Sequence, residues 1–155
     1  MEIEFAELDN WDRRFFELCN LLASWSEDRS RKVGAVIVGG ANQIISTGYN
    51  GLPRAIANHD SRHGRAGQEK YFWFEHAERN ALFNAARSGN STDGCRMYAN
   101  LFPCAECARG IIQSGIVQLN SFSPPVRDET FERSFSVSTE MLSEANIEVR
   151  FFRSP

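Results

Sequence analysis

Apolar side chains recur at three- and four-residue steps over residues 11–25, where Trp11, Phe15, Leu18, Cys19, Leu22 and Trp25 trace one stripe, the spacing of an amphipathic helix. That helix is expected to cover one face of a sheet. Two short runs follow. Residues 33–38 are rich in β-branched side chains, residues 43–49 form a second run, and Gly39, Gly40, Ala41 and Asn42 supply turn chemistry between them, which predicts a hairpin. Residues 50–67 are polar and broken by Gly51, Pro53, Gly64 and Gly67. This is long for a connection in a compact domain, and such loops are usually functional or disordered.

Beyond that loop the periods alternate. Helices are predicted over residues 76–87, 105–114 and 128–145, the last carrying Phe131, Phe135, Met141 and Leu142. Strands are predicted over residues 95–99, 116–119 and 147–152. Gly115 stops the middle helix, and Pro124-Pro125 separates two neighbouring elements. Strands alternating with helices imply parallel pairing, whereas the opening hairpin is antiparallel. The expected fold is therefore α/β, a five-stranded mixed sheet in a three-layer α/β/α sandwich. A length of 155 residues with 42% hydrophobic content suits a single domain over residues 1–155.

Charge narrows the partners. The formal net charge is −3 and the sequence pI about 5.6, so the whole-molecule field offers no attraction to a nucleic-acid backbone. A local basic site for one phosphate is still compatible with that balance. Residues 1–10 carry Glu2, Glu4, Glu7 and Asp9 and lack the basic-then-apolar plan of a secretory signal. Residues 33–38 fall far short of the roughly 20 apolar residues of a spanning helix. A soluble, cytoplasmic protein without membrane or nucleic-acid partners is expected. In that compartment Cys104-x-x-Cys107 points to metal or redox chemistry rather than a disulfide framework.

Alone, that pair would also suit a structural zinc knot or buried thiols. His76-Ala77-Glu78 upstream of Pro103-Cys104-Ala105-Glu106-Cys107 changes the balance. Catalytic zinc takes three nitrogen or sulfur ligands and leaves one position open, and one imidazole with two thiolates supplies that set. The cysteines stand three apart at a predicted helix start, on one face, where the positive helix end favours thiolates. Residues two apart on a helix lie about 200° apart around the axis, so spacing alone does not bring His76 and Glu78 together.

The H-x-E and P-C-x-x-C arrangement resembles that of zinc deaminases. Residues 97–108 and 111–116, the Gly48-Tyr49-Asn50-Gly51-Leu52-Pro53 loop, and Lys70-Tyr71 are similar to the corresponding segments of deoxycytidylate deaminases, over most of residues 11–120. Histidine as first ligand fits the branch holding deoxycytidylate and RNA-editing deaminases, and net acidity argues against tRNA. The resemblance implies Zn2+ held by His76, Cys104 and Cys107, with Glu78 moving protons between water, the pyrimidine ring nitrogen and the leaving amine. It further implies hydrolysis of dCMP to dUMP and ammonia. Asn50 is then expected at the sugar, the backbone around Ala77 at the pyrimidine, and the loop near Phe102 at the amino group. A homo-oligomer, trimer or hexamer, is implied as well.

A 5′-phosphate needs cationic donors. Arg29, Arg31, Lys32, Arg54, Arg62, Arg65 and Lys70 flank the site, and Arg31 and Arg54 are the first choices, although exposure is the default for any single basic residue. His59 and His63 are four apart but have no cysteine in their loop, so ordinary loop histidines are the favoured reading over a second metal site. Tyr71-Phe72-Trp73-Phe74 is read as core or subunit contact in preference to a base-stacking wall. Cys19 and Cys95 are read as small buried hydrophobes. Two departures bear on substrate: Ala55 stands where the resembling family often has glycine, and residues 120–125 lack an expected tyrosine. The alternatives are the same chemistry on another nucleotide or base, a non-catalytic zinc scaffold, which Glu78 argues against, and a nucleic-acid editor.

Overall fold

The computed structural model describes residues 3–125 and 129–155. Helix α1, Asn10–Ala23, opens on a capping box. The Asp9 carboxylate accepts from the Asp12 backbone N–H at 2.8 Å, and the Asp12 carboxylate accepts from the Asp9 N–H at 3.1 Å. These two bonds satisfy donors that a helix start otherwise leaves orphaned. Strands β1, Gly34–Val38, and β2, Ile44–Tyr49, form the predicted antiparallel hairpin. A short helix α2, Glu69–Trp73, interrupts the long loop just before α3, Ala77–Ser88. The alternation continues as β3, Arg96–Ala99; α4, Ala105–Gln113; β4, Gln118–Phe122; α5, Glu132–Glu144; and β5, Glu148–Phe152. Residue 128 of the predicted last helix lies outside the described residues.

The sheet order is β2-β1-β3-β4-β5, with β1 antiparallel to β2 and β3 and the β3-β4 and β4-β5 pairs parallel. This is the five-stranded mixed sheet expected from the alternation. Successive β1 residues face opposite sides, as the pleat requires. Val36 and Val38 join Phe15, Phe16, Cys19 and Leu22 of α1 on one face. Ala35 and Ile37 join Ala77, Ala81, Ala108 and Ile111 on the other. Full burial of each large apolar side chain contributes about 1.5–3 kcal/mol, and both faces of the sheet are covered.

Two glycines set the layer spacing. A Cβ on Gly34 would lie 2.0 Å from the Cys19 carbonyl oxygen, and one on Gly48 would lie 2.4 Å from the backbone of Ala77 and Ala81. Any side chain at Gly48 would push α3 off β2. Strand β4 starts two residues later than the pattern predicts and runs through Asn120 and Ser121. Asn120 is fully buried because Arg150 donates to its carbonyl oxygen at 3.0 Å and its amide donates to the Gln118 side chain at 3.0 Å. Arg150 also holds buried Asp12 at 2.9 Å, and Tyr98 donates to the same carboxylate at 2.7 Å. No helix among the described residues is long and apolar enough to cross a membrane.

Candidate active site

Both helices that carry the motif residues begin at one place. His76 is the N-cap of α3 and Cys104 the N-cap of α4, each with extended backbone angles, so side chains leave both helix starts toward a common point. The turn before α3 is pinned on each side. Gly51 and Glu75 exchange backbone hydrogen bonds of 2.8 and 3.1 Å, and the Glu75 carboxylate accepts from the His76 N–H at 2.9 Å. Arg79, one turn along α3, binds Glu75 at 2.6 Å and Glu106 of α4 at 2.9 Å, tying the two helices together.

At the common point, Nδ1 of His76 lies 3.4 Å from the Sγ atoms of both Cys104 and Cys107. The three donor atoms lie within 4.8 Å of one another. A tetrahedral zinc ion with bonds of about 2.0–2.1 Å to nitrogen and about 2.3 Å to sulfur holds such N···S pairs about 3.5 Å apart, so the donor set fits zinc in both type and spacing. Among the described residues this is the one cluster of three or more potential ligands. His59 and His63 do not form another, since His63 bonds to Asn58 and packs on Phe74.

Hydrogen bonds within the donor set split the two thiols in acidity. A hydrogen bond from Cys107, reinforced by His76 against the cost of burial, pulls the Cys104 thiol down to about 4. Cys107 keeps its proton because it donates to Cys104 and is buried. Burial disfavours a charged His76, yet its bond to Cys104 and the nearby Glu78 carry its pKa above the ordinary value. Glu78 lies in the first turn of α3, 4% exposed, with Oε2 3.5 Å from the Cys107 Sγ. Burial raises its pKa, the direction expected of a carboxyl that both accepts and delivers protons near neutrality.

His76, Glu78 and Cys104 line a cavity, the concave kind of surface that small-molecule sites use. Ala77, Glu78 and Phe102 line it, with Phe131, Phe135 and Leu101 as apolar wall. Arg31, Arg65 and Lys70 bring positive charge to its lining. Arg31 sits 5.3 Å from the centre of the Phe131 ring, a cation–π distance.

Other expectations are met differently. Asn50 lines the cavity, but its amide is already committed: Nδ2 donates to Arg31 O at 2.8 Å and Asp28 at 3.2 Å, and Oδ1 accepts from Val33 N at 2.8 Å. It clamps the 28–33 segment. Arg54 lies outside this cavity, donating to Asn84 at 2.6 Å beside a second depression. The aromatic quartet divides: Tyr71 and Phe74 line the cavity, Phe72 is 78% exposed, and Trp73 donates to Glu69 under the Arg62 guanidinium. Cys19 and Cys95 are buried, as read.

Asp28 and Lys70 form a buried pair at 2.6 Å beside the cavity. An acid within a basic stretch reads from sequence as part of a solvated loop. Phe131 and Phe135 are expected on the apolar stripe of a helix, and spacing gives no signal that the stripe faces the metal site.

The chain matches the family described as the cytidine and deoxycytidylate deaminase zinc-binding region over residues 9–122. It is 37% identical over 145 residues to a protein of Aliivibrio fischeri described as an uncharacterized deaminase in the luxG 3′ region, covering 92% of this chain and 93% of that one. It is 40% identical over 124 residues to the deoxycytidylate deaminase of Homo sapiens, covering 76% and 67%. Its fold is similar to the dCMP deaminase of cyanophage S-TIM5 in complex with dCMP and dUMP, with TM-score 0.77, 23% identity, and 94% and 100% coverage. With the ligand geometry and the family match in agreement, the chain belongs to the cytidine and deoxycytidylate deaminases.

Proposed function

We propose that this chain hydrolyses dCMP to dUMP and ammonia, with His76, Cys104 and Cys107 holding Zn2+ and Glu78 carrying the protons. The carrying observation is the juxtaposition of a buried carboxyl of raised pKa with a two-sulfur, one-nitrogen donor set at the floor of a cavity that also has cations in its lining. Bound zinc acidifies water and so supplies the nucleophile. Glu78 accepts the proton released by that water and passes it to the pyrimidine ring nitrogen. The water oxygen bonds to the ring carbon that bears the amino group; Glu78 then takes the remaining proton from that oxygen and gives it to the amino nitrogen, so that ammonia leaves as the C–N bond breaks and the ring carbonyl forms.

The lining supports one placement of the substrate. The Ala77 backbone and the Phe102 loop flank the base, the phenyl rings of Phe131 and Phe135 exclude water, and Arg31, Arg65 and Lys70 meet the 5′-phosphate. Charge-assisted bonds of this kind select a monophosphate over a nucleoside. The exposed side chains of Leu21, Trp25, Ile44, Tyr49 and Phe83 support a homo-oligomer, and four cysteines without a disulfide support a reducing, cytoplasmic setting.

The test is ammonia release from zinc-loaded protein offered dCMP, CMP, deoxycytidine, dCTP, 5-methyl-dCMP and guanine. Selective turnover of dCMP is expected. Activity confined to another member of the panel keeps the chemistry and discards the substrate.

A further inference from the structure

Cys104 occupies the N-cap of α4, the position from which a side chain ordinarily accepts hydrogen bonds from the first-turn N–H groups. No side-chain cap bond is made there, and the sulfur faces His76 instead. The Ala105 N–H, first of the helix, is nevertheless satisfied. It donates to the hydroxyl of Ser134, on α5, at 2.8 Å. Ser134 is itself fixed in the helix, its carbonyl accepting from the buried Ser138 hydroxyl at 2.9 Å. Phe131, the N-cap of the same helix, and Phe135, the residue after Ser134, wall the cavity, with Phe135 packed on Phe102 at 6.0 Å between ring centres.

We infer that Ser134 is a positioning residue of the metal centre: it caps α4 from a neighbouring helix because the helix's own cap is a metal ligand, and so holds Cys104 at its distance from His76. The inference rests on the zinc reading above. Two features support it beyond the bond itself. The peptide it fixes, Cys104–Ala105, joins the ligand to the helix, so a small rotation there moves Sγ directly. The helix providing the hydroxyl also supplies the cavity wall, which ties metal loop and substrate wall to one rigid element.

The test removes each end of the bond separately. Ser134→Ala removes the acceptor. Ala105→Pro removes the donor at a first-turn position that proline tolerates, and Cys104, at φ −69° and ψ 169°, already has the extended angles required before proline. Zinc affinity is measured by competition with a chromophoric chelator at a temperature where circular dichroism shows each protein folded, and ligand geometry by the absorption of the Co2+-substituted forms. Both variants are expected to bind zinc about tenfold more weakly, at the lower end of the effect of losing a residue that supports a metal ligand. The double variant is expected to be no weaker than either single one, with Ser134→Thr restoring the native affinity. Affinity within twofold of native in both single variants overturns the inference. So does a loss in Ser134→Ala that Ala105→Pro does not share, or a lowered melting temperature with unchanged zinc affinity and Co2+ spectrum, the mark of a merely structural cap. A native protein that binds no zinc overturns the metal reading itself and is distinguished by that control.

Discussion

Replacing Lys70 with methionine isolates the buried pair beside the cavity. The ammonium lies 2.6 Å from Asp28, with side-chain exposures of 9% and 3%. Removing one partner of a buried pair costs about 3–5 kcal/mol. Asp28 keeps its bonds from Ser30 N, Ser30 Oγ, Arg31 N and Asn50 Nδ2, which places Lys70→Met near the lower end, about 3 kcal/mol. For a chain of this size each kcal/mol shifts Tm by about 2–4 °C, so a fall of about 6–12 °C is expected at pH 7. Acid should erase the difference. Burial alone would raise the Asp28 pKa, but the Lys70 bond and the Ser30 and Arg31 N–H groups outweigh it and hold the carboxyl below its ordinary value. A carboxyl depressed in the folded state contributes stability above its unfolded pKa of about 3.9, lost as pH falls through the lower folded value. The native-to-variant gap in thermal unfolding, followed by circular dichroism from pH 7 to pH 3, should therefore be full at neutrality and shrink below about pH 4. A Tm drop under 2 °C at pH 7, or a gap constant down to pH 3, would refute the reasoning.

Glu78→Gln should retain one zinc per chain by metal analysis while kcat falls about 10²–10⁴-fold, the range for a general acid–base. Retained turnover removes Glu78 from proton transfer. Arg31→Ala should raise KM for dCMP about tenfold or more, the equivalent of one charge-assisted hydrogen bond, whereas Arg54→Ala, which faces Asn84, should leave KM within twofold. The reverse order in steady-state assays moves the phosphate site. Ala55 has φ 67°, in the left-handed region that costs a non-glycine residue about 1–2 kcal/mol. Ala55→Gly, with the backbone entropy cost of glycine offsetting part of that, should raise Tm by about 1–4 °C, and an unchanged or lower Tm would show that the loop relaxes around alanine.

Much of this architecture was legible because local pattern and tertiary role agree. The β1-β2 hairpin, the three parallel strands and the middle of α1 follow the predicted periods, with Phe15, Cys19 and Leu22 buried, whereas Trp11 and Trp25 at the ends of the predicted stripe are exposed. The metal centre was legible because Cys104-x-x-Cys107 and His76-x-Glu78 are compact signatures. The rest failed where chemistry depends on contacts across the fold. The pattern ends strand β4 at Leu119 because Asn120 and Ser121 look like turn residues, and Gln118 with Arg150, thirty residues later, makes a buried asparagine acceptable there. Asn50 lines the cavity, and its bonds to Val33, Arg31 and Asp28, which no local pattern signals, fix it there. Arg54 is close to the site in sequence but faces away from it. The positive φ of Ala55 is a backbone reason for glycine at that position.

The placement of α5 has a consequence for how binding preference can diverge. The family segment ends at residue 122, yet Phe131 and Phe135 beyond it form part of the wall against which a bound base would lie. Substitutions at these two positions can reshape the recess while leaving His76, Glu78, Cys104 and Cys107 untouched. Part of the recess wall and the reaction centre therefore sit on different stretches of one chain. A library confined to the α5 face would sample new ligands on an unchanged reaction centre.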